Sequence, residues 1–518
     1  MKSALKKIGA AAVSAIAISV VVASCSKSVP TSEPLPIQAP AAQDANAGSW
    51  KMVLLTGPTQ IPVAAPAPVS DPSYQAELAS IQGQQAAMSP AQYSTMQYWS
   101  AGGALRWNEI LRELVAHADL PPAPNPDGSY PSPNPANPFA DPQYPFSNPP
   151  YAARAYSYVS LAQYEALKVA WYYKYQYNRP SPYVNSSSIT SLMPKTGLPS
   201  YPSEDAVEAG VNGALLMLLF PTSASEIKQK MADQQQSALL SGRASASDLA
   251  AGLALGQAVA AIFKARAATD GMKAAAGNAA VWQALAAGAA AQGQVPWISQ
   301  DVPPRPPMLP LFGKVQPWIM TTNDIVSVRP GPPPSTGSTQ MQQELAEVKN
   351  AVAKLTDDQR ATVYKWSDGV STVTPAGHWN AIAVPYITAA KLSDVRTARV
   401  FALVNMAMMD AAVSCWDTKY TYFNPRPTQL DPSIKTEIAL PNFPSYVSGH
   451  SMFSGAGADV LSYLFPSGSA YFTSQMQEAA MSRLYGGIHY RSDIEVGLTA
   501  GKSVGDYIVT FAQNDGAD

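Results

Sequence analysis

Trp416-Asp417-Thr418-Lys419-Tyr420-Thr421-Tyr422 is the second appearance of a phrase already written as Trp171-Tyr172-Tyr173-Lys174-Tyr175-Gln176-Tyr177. The offset is 245 residues, and the same register pairs Arg154 with Arg399 and Ala162 with Ala407 upstream. Downstream it pairs Pro199-Ser200-Tyr201 with Pro444-Ser445-Tyr446, and Leu219-Phe220-Pro221 with Leu464-Phe465-Pro466. It ends with Ser247-Asp248, Gly252 and Gly256 against Ser492-Asp493, Gly497 and Gly501. At another offset, Trp99-Ser100 and Trp107-Asn108 echo Trp366-Ser367 and Trp379-Asn380. Similar helical compositions match by chance in scattered places, not in one register over roughly a hundred residues, so one structural unit is written twice.

Apolar and aromatic residues recur at helical spacing through both copies, and strand signals are weak. The expectation is an all-α protein: two duplicated helical bundles packed about a pseudo-twofold axis. His489, Asp493, Gly497, Gly501 and Gly505 recur every four residues, which places them together on one helix face, with the glycines there for close helix packing. At 518 residues the chain exceeds what one core usually organises, and its 47% hydrophobic content supports a large interior. Charged residues are only 14% and the net charge is −2, so no global field recruits nucleic acid and an anion must be held by a local cluster.

The N-terminus has the pattern of a targeting segment. Lys2, Lys6 and Lys7 precede an apolar run from Ile8 to Val22, and Val22-Ala23-Ser24-Cys25 follows. That tetrapeptide looks like a bacterial lipobox, which makes Cys25 a lipid anchor, and Ser26 points to the outer membrane of the cell envelope. The expected organisation is a signal peptide over 1–24, a flexible tether over 25–73, and a first bundle over 74–294. A Pro-rich linker over 295–340 and a second bundle over 341–518 follow. The mature body keeps one cysteine, Cys415, so no internal disulfide forms.

Three segments of the second bundle carry chemistry. In Lys419-Tyr420-Thr421-Tyr422-Phe423-Asn424-Pro425-Arg426-Pro427 the prolines end a helix and extend the backbone around Arg426. In Pro444-Ser445-Tyr446-Val447-Ser448-Gly449-His450 a glycine precedes a helix start, where an oxyanion can approach backbone N–H groups and the helix dipole favours it. In Ser482-Arg483-Leu484-Tyr485-Gly486-Gly487-Ile488-His489-Tyr490-Arg491-Ser492-Asp493 the Asp493 carboxylate can take the Nδ1 proton of His489 and leave Nε2 as nucleophile or metal ligand. Arg483 offers a fork of donors. Taken singly, each has a plainer reading: surface cations, an N-cap beside a histidine, a structural His–Asp pair.

Together the segments resemble the signature of the PAP2 and vanadium haloperoxidase superfamily, K-x6-R-P, then S-G-H, then S-R-x5-H-x3-D. Trp366-Ser367-Asp368-Gly369 and Thr374-Pro375-Ala376-Gly377-His378-Trp379-Asn380 also look like its bacterial haloperoxidase-like branch. The resemblance implies that Lys419, Arg426, Ser448, Gly449 and Arg483 bind an oxyanion, and that His489, oriented by Asp493, ligates vanadium or attacks phosphorus. It implies that His450 is the acid/base and that Trp416 and Phe443 border a halide pocket. The expected enzyme is a vanadium-dependent haloperoxidase, with vanadate as cofactor and hydrogen peroxide and halide as substrates. The alternative is an acid phosphatase acting on small phosphate esters through a phosphohistidine, with no cofactor. In the first bundle, Glu204, Asp205, Ala238 and Ala244 stand at the positions of Gly449, His450, Arg483 and His489. Lys174 and Arg179 survive at a shortened spacing, so this half is expected to be scaffold. His378 and His117 are expected to be structural and exposed, respectively.

Overall fold

The computed structural model describes residues 35–119, 126, 149–302 and 304–517. The leader with Cys25, and most of the Pro/Asn-rich loop after Pro121, lie outside the described residues. Among the described residues there are helices and turns and no strand, as the periodicity predicts.

Two helices form the centre. Pro149–Tyr177 and Asp394–Tyr422 are each 29 residues long, pack against one another and are buried almost throughout. An apolar surface on all sides suits a helix that meets protein in every direction. The second begins at Ser393, whose side chain caps the Arg396 N–H, and ends at Phe423, where φ of +50° and the following Asn424-Pro425 stop it.

The repeated register is also a repeated set of elements. Pro182–Asn185, Glu204–Leu219, Ala224–Leu240 and Ala246–Ala267 follow the first central helix. Pro427–Leu430, Gly449–Leu464, Ser469–Tyr485 and Arg491–Ala512 follow the second with the same lengths in the same order. Buried pairs repeat with them: Arg154 Nε lies 2.7 Å from Asp270, and Arg399 Nε lies 2.8 Å from Asp515. The glycines do close packing, as their spacing suggested. A Cβ on Gly501 would lie 2.3 Å from the Met452 carbonyl, and one on Gly256 2.2 Å from that of Val207.

Two expectations need correction. Residues 35–73 do not behave as a tether in the structure: Ala47, Trp50 and Leu55 are buried in the core. The cause is Glu165, an acid in the middle of the first central helix, which accepts the N–H groups of Val53, Leu54 and Leu55. Asp410 does the same in the second, accepting from Trp318 at 2.7 Å, Ile319 at 3.0 Å and Met320 at 3.1 Å. A buried carboxylate needs such donors, and the irregular segments supply them from consecutive N–H groups at bends. The stretch 295–340 is likewise packed in place, burying Phe312, Val315, Met320 and Ile325, so both halves share one continuous core. His489 is the second correction. The last helix starts at Arg491, so His489 lies before it and reaches Asp493 across the helix cap.

Candidate functional site

The last turn of the long central helix, the extended turn after it, and the start of Gly449–Leu464 converge with the end of Ser469–Tyr485 and the cap of Arg491–Ala512. Lys419 lies in the last turn of its helix and is fully buried. Its Nζ donates to the carbonyls of Pro444 (2.7 Å) and Ser445 (2.8 Å) and sits 5.0 Å from the centre of the Phe443 ring. Arg426 donates from Nε to the Phe443 carbonyl (3.1 Å) and from Nη1 to that of Ile488 (2.8 Å). Its Nη2 is buried without a partner. Arg483 donates from Nε to Ser482 Oγ (2.8 Å) and from Nη2 to the Trp366 carbonyl.

These cations have no carboxylate within ion-pair distance among the described residues. Burial pulls the Lys419 ammonium down to about 7 and the guanidinium groups of Arg426 and Arg483 down to about 10. Burying positive charges without counter-charge is costly unless a ligand supplies it. The first half shows the contrast, with Lys174 at the position of Lys419 and Arg243 at that of Ile488. There Lys174 Nζ pairs with Glu204 at 2.6 Å, and Arg243 pairs with Asp205 at 3.0 Å. Glu204 and Asp205 stand where the second half has Gly449 and His450, so the first half carries its own anion and the second is open to an external one.

His489 is buried, with Nδ1 2.8 Å from Asp493 Oδ2 and Nε2 3.0 Å from Arg426 Nη1. Asp493 Oδ2 also accepts from Ser445 Oγ (2.5 Å) and the Tyr490 N–H (3.1 Å). Burial first, and then the charges of Arg426, Lys419 and Arg483, hold the imidazole well below its usual range. Burial pushes the Asp493 carboxyl up to about 6, so near neutral pH the pair is carboxylate and neutral imidazole. With Nδ1–H given to Asp493, Nε2 carries the lone pair, which Arg426 now engages.

Ser448 is the N-cap of Gly449–Leu464 and accepts the Ser451 N–H at 3.3 Å. Gly449 opens the helix, where N–H groups lack helical acceptors, and an added Cβ there would meet only Phe453 at 3.8 Å. His450 follows, half-buried, with burial and the charge of Arg483 lowering its imidazole to about 4. Trp416 is fully buried and donates to the Met308 carbonyl at 3.1 Å, with its ring 4.9 Å from that of Phe443. Phe443 therefore lies under Lys419 and Arg426, and Trp416 stands behind it.

Sequence reasoning missed two participants and undervalued a third. Ser445, whose hydroxyl bonds Asp493, was visible only as a member of the repeated Pro-Ser-Tyr phrase. Asp368 lies 3.3 Å from His450 Nε2 and bonds His378 Nδ1 at 3.0 Å. Both sit in the Trp-Ser-Asp-Gly and Gly-His-Trp-Asn phrases, so His378 is part of the site's surroundings and not a bystander.

Residues 398–516 match the family model of the PAP2 superfamily. No curated protein matches the chain in sequence. Among solved structures, a bacterial vanadium-dependent iodoperoxidase aligns with a TM-score of 0.56 at 22% identity, over 79% of this chain and 95% of that one. A bacterial vanadium-dependent chloroperoxidase in its holo form aligns with a TM-score of 0.52 at 14% identity, over 74% of this chain and 96% of that one. The apo form of such a chloroperoxidase aligns at 0.50 and 13% identity, over 71% and 95%. Residues 398–516 are therefore a PAP2-superfamily segment, set in a chain with the fold of the vanadium-dependent haloperoxidases.

Proposed function

We propose that the chain is a vanadium-dependent haloperoxidase that oxidises halide with hydrogen peroxide. The observation that carries the reading is the set of buried cations, Lys419, Arg426 and Arg483, with no carboxylate within ion-pair distance among the described residues and with Arg426 Nη2 unpartnered. Vanadate fits that donor set: three cations, the helix N-terminus at Gly449 and the Ser448 hydroxyl would hold its oxygens, and His489 Nε2 offers a neutral lone pair among them. Bound there, it supplies a d0 Lewis acid that activates peroxide toward halide without changing oxidation state.

The protein's own groups do the rest. Asp493 fixes His489 as the Nδ1–H tautomer and keeps it a donor of electrons at Nε2. Lys419 and the arginines hold negative charge in a site from which water is largely excluded, so each contact is stronger than it would be in solvent. His450, with Nε2 turned to Asp368, moves protons at Nδ1. Phe443 and Trp416 form an apolar wall beside Lys419, suited to a weakly hydrated anion. Cys25, through a lipid, would tether the enzyme to the envelope.

The same residues favour a second reading, because phosphate and vanadate share shape and charge. A phosphomonoesterase would use His489 Nε2 as nucleophile and His450 to protonate the leaving alkoxide; the PAP2 match over 398–516 supports it. The fold shared with haloperoxidases along most of the chain supports the first. The test is to load the protein with orthovanadate and assay peroxide-dependent iodide oxidation beside phosphate-ester hydrolysis, in wild type and in His489→Ala. The variant should lose either activity completely. Turnover that survives it would remove His489 from both mechanisms.

A further inference from the structure

Asp368 is nearly buried and holds one histidine at each oxygen. His378 Nδ1 lies 3.0 Å from Oδ1, and His450 Nε2 lies 3.3 Å from Oδ2, with side chains 19% and 15% exposed. The surroundings fix the arrangement. The His378 ring stacks on Trp366 with centroids 4.1 Å apart and planes 18° from parallel, and the Trp366 carbonyl accepts from Arg483. The segment from 367 to 374 carries Asp368, Ser371 and Thr374 at positive φ of 43°, 61° and 64°. Non-glycine residues in that region cost energy and are kept where something over-determines them. Here Asp119 does so: its carbonyl accepts the Ser371 N–H at 2.8 Å and its carboxylate the Thr372 N–H at 3.4 Å.

We propose that His378 is a positioning residue that sets the protonation of His450 by sharing the Asp368 carboxylate with it. One carboxylate cannot fully serve two imidazolium ions. When His378 is charged, it takes the negative charge of Asp368 and repels a proton from His450; when it is neutral, Asp368 is free to stabilise a proton there. Asp368 Oδ2 faces His450 Nε2 at 3.3 Å, close enough to favour a proton on that nitrogen and leave Nδ1 as the working one. The carboxyl itself stays ionised. Burial raises it, but the hydrogen bonds from the two histidines outweigh that and hold it well below the carboxylate range. The other charged or titratable groups facing the cluster include Arg483 from Ser469–Tyr485, His489 before Arg491–Ala512, Asp119 beyond Gly103–Ala118, and Tyr156 on the first central helix. Among the described residues, only His378 shares the Asp368 carboxylate with His450.

This inference depends on the proposed function only for its effect on turnover, and its main test needs no activity. The chain has four histidines, so 15N-histidine labelling of the full protein gives a spectrum in which His450 can be assigned and titrated. His378→Phe, which keeps the stack on Trp366, should raise the His450 midpoint by about one pH unit. His378→Gln should move it the same way, and Asp368→Asn should lower it and mix the tautomers. The acidic limb of the pH profile for iodide oxidation should follow His450. An unmoved His450 midpoint in both folded His378 variants overturns the proposal. A moved midpoint with an unmoved pH profile leaves the coupling standing and removes His450 from proton transfer.

Discussion

Oxyanion binding should draw a proton into the protein, and Lys419 is the reason. Its ammonium lies in the interior, donates to two carbonyls and sits against the Phe443 ring, and burial lowers it to about 7 from 10.5. That displacement corresponds to about 5 kcal/mol of bias against the charged form. The sign follows from linkage: a lysine depressed in the folded state costs stability when protonated, so the anion-free protein gains stability as pH rises from about 7 toward the unfolded value. An oxyanion beside Nζ reverses the bias. At pH 8 about one Lys419 in ten is protonated before binding and nearly all are afterward, so about 0.9 proton is taken up per anion. Affinity should then fall about tenfold for each pH unit above 7. Inorganic phosphate is the probe, since at pH 8 it is mostly dianion already, and calorimetry in two buffers of different ionisation enthalpy reads the uptake. Lys419→Met should abolish the uptake and weaken binding. Phosphate binding at pH 8 without proton uptake, or with the same uptake in Lys419→Met, would refute the reasoning.

Three further outcomes are expected. Gly501→Ala forces a methyl to within 2.3 Å of the Met452 carbonyl and should destabilise the fold by about 2 kcal/mol in thermal or denaturant unfolding; an unchanged midpoint would mean the two helices are not in that contact. Lys174→Met should lower stability, because it strands Glu204 in the interior, yet leave phosphate stoichiometry at one per chain; two equivalent sites in the wild-type titration would end the scaffold reading. Cys25→Ser should move the protein out of the membrane fraction, and unchanged membrane association would dispose of the lipid anchor.

The central helices and their repeated partners were legible because burial on every side writes itself as continuous apolar and aromatic sequence, and because the second copy repeats the first in register. The site was legible through spacing. Lys419 and Arg426 straddle a helix end marked by Pro425 and Pro427, and Gly449 opens a helix that starts where an anion site needs it. What stayed hidden depends on contacts between distant segments. Residues 35–73 have the composition of a tether, and nothing local shows that Glu165, more than a hundred residues on, needs their N–H groups. His489 and Asp493 have helical spacing, but the Asp493 carboxylate bonds the Tyr490 N–H as a cap, which puts the helix start between them. His378 has a helix-start position and a plain structural reading until Asp368 is seen to hold it and His450 on opposite oxygens.

The central claim is that the buried cations of the second half hold vanadate for peroxide chemistry, and competition tests it most directly. Vanadate-loaded protein should oxidise iodide in the presence of hydrogen peroxide, and added phosphate should lower that rate in proportion to the vanadate it displaces. If vanadate-loaded protein oxidises no halide at any pH, while the vanadate-free protein cleaves phosphate esters and vanadate only inhibits it, the haloperoxidase account is contradicted and the phosphatase reading replaces it.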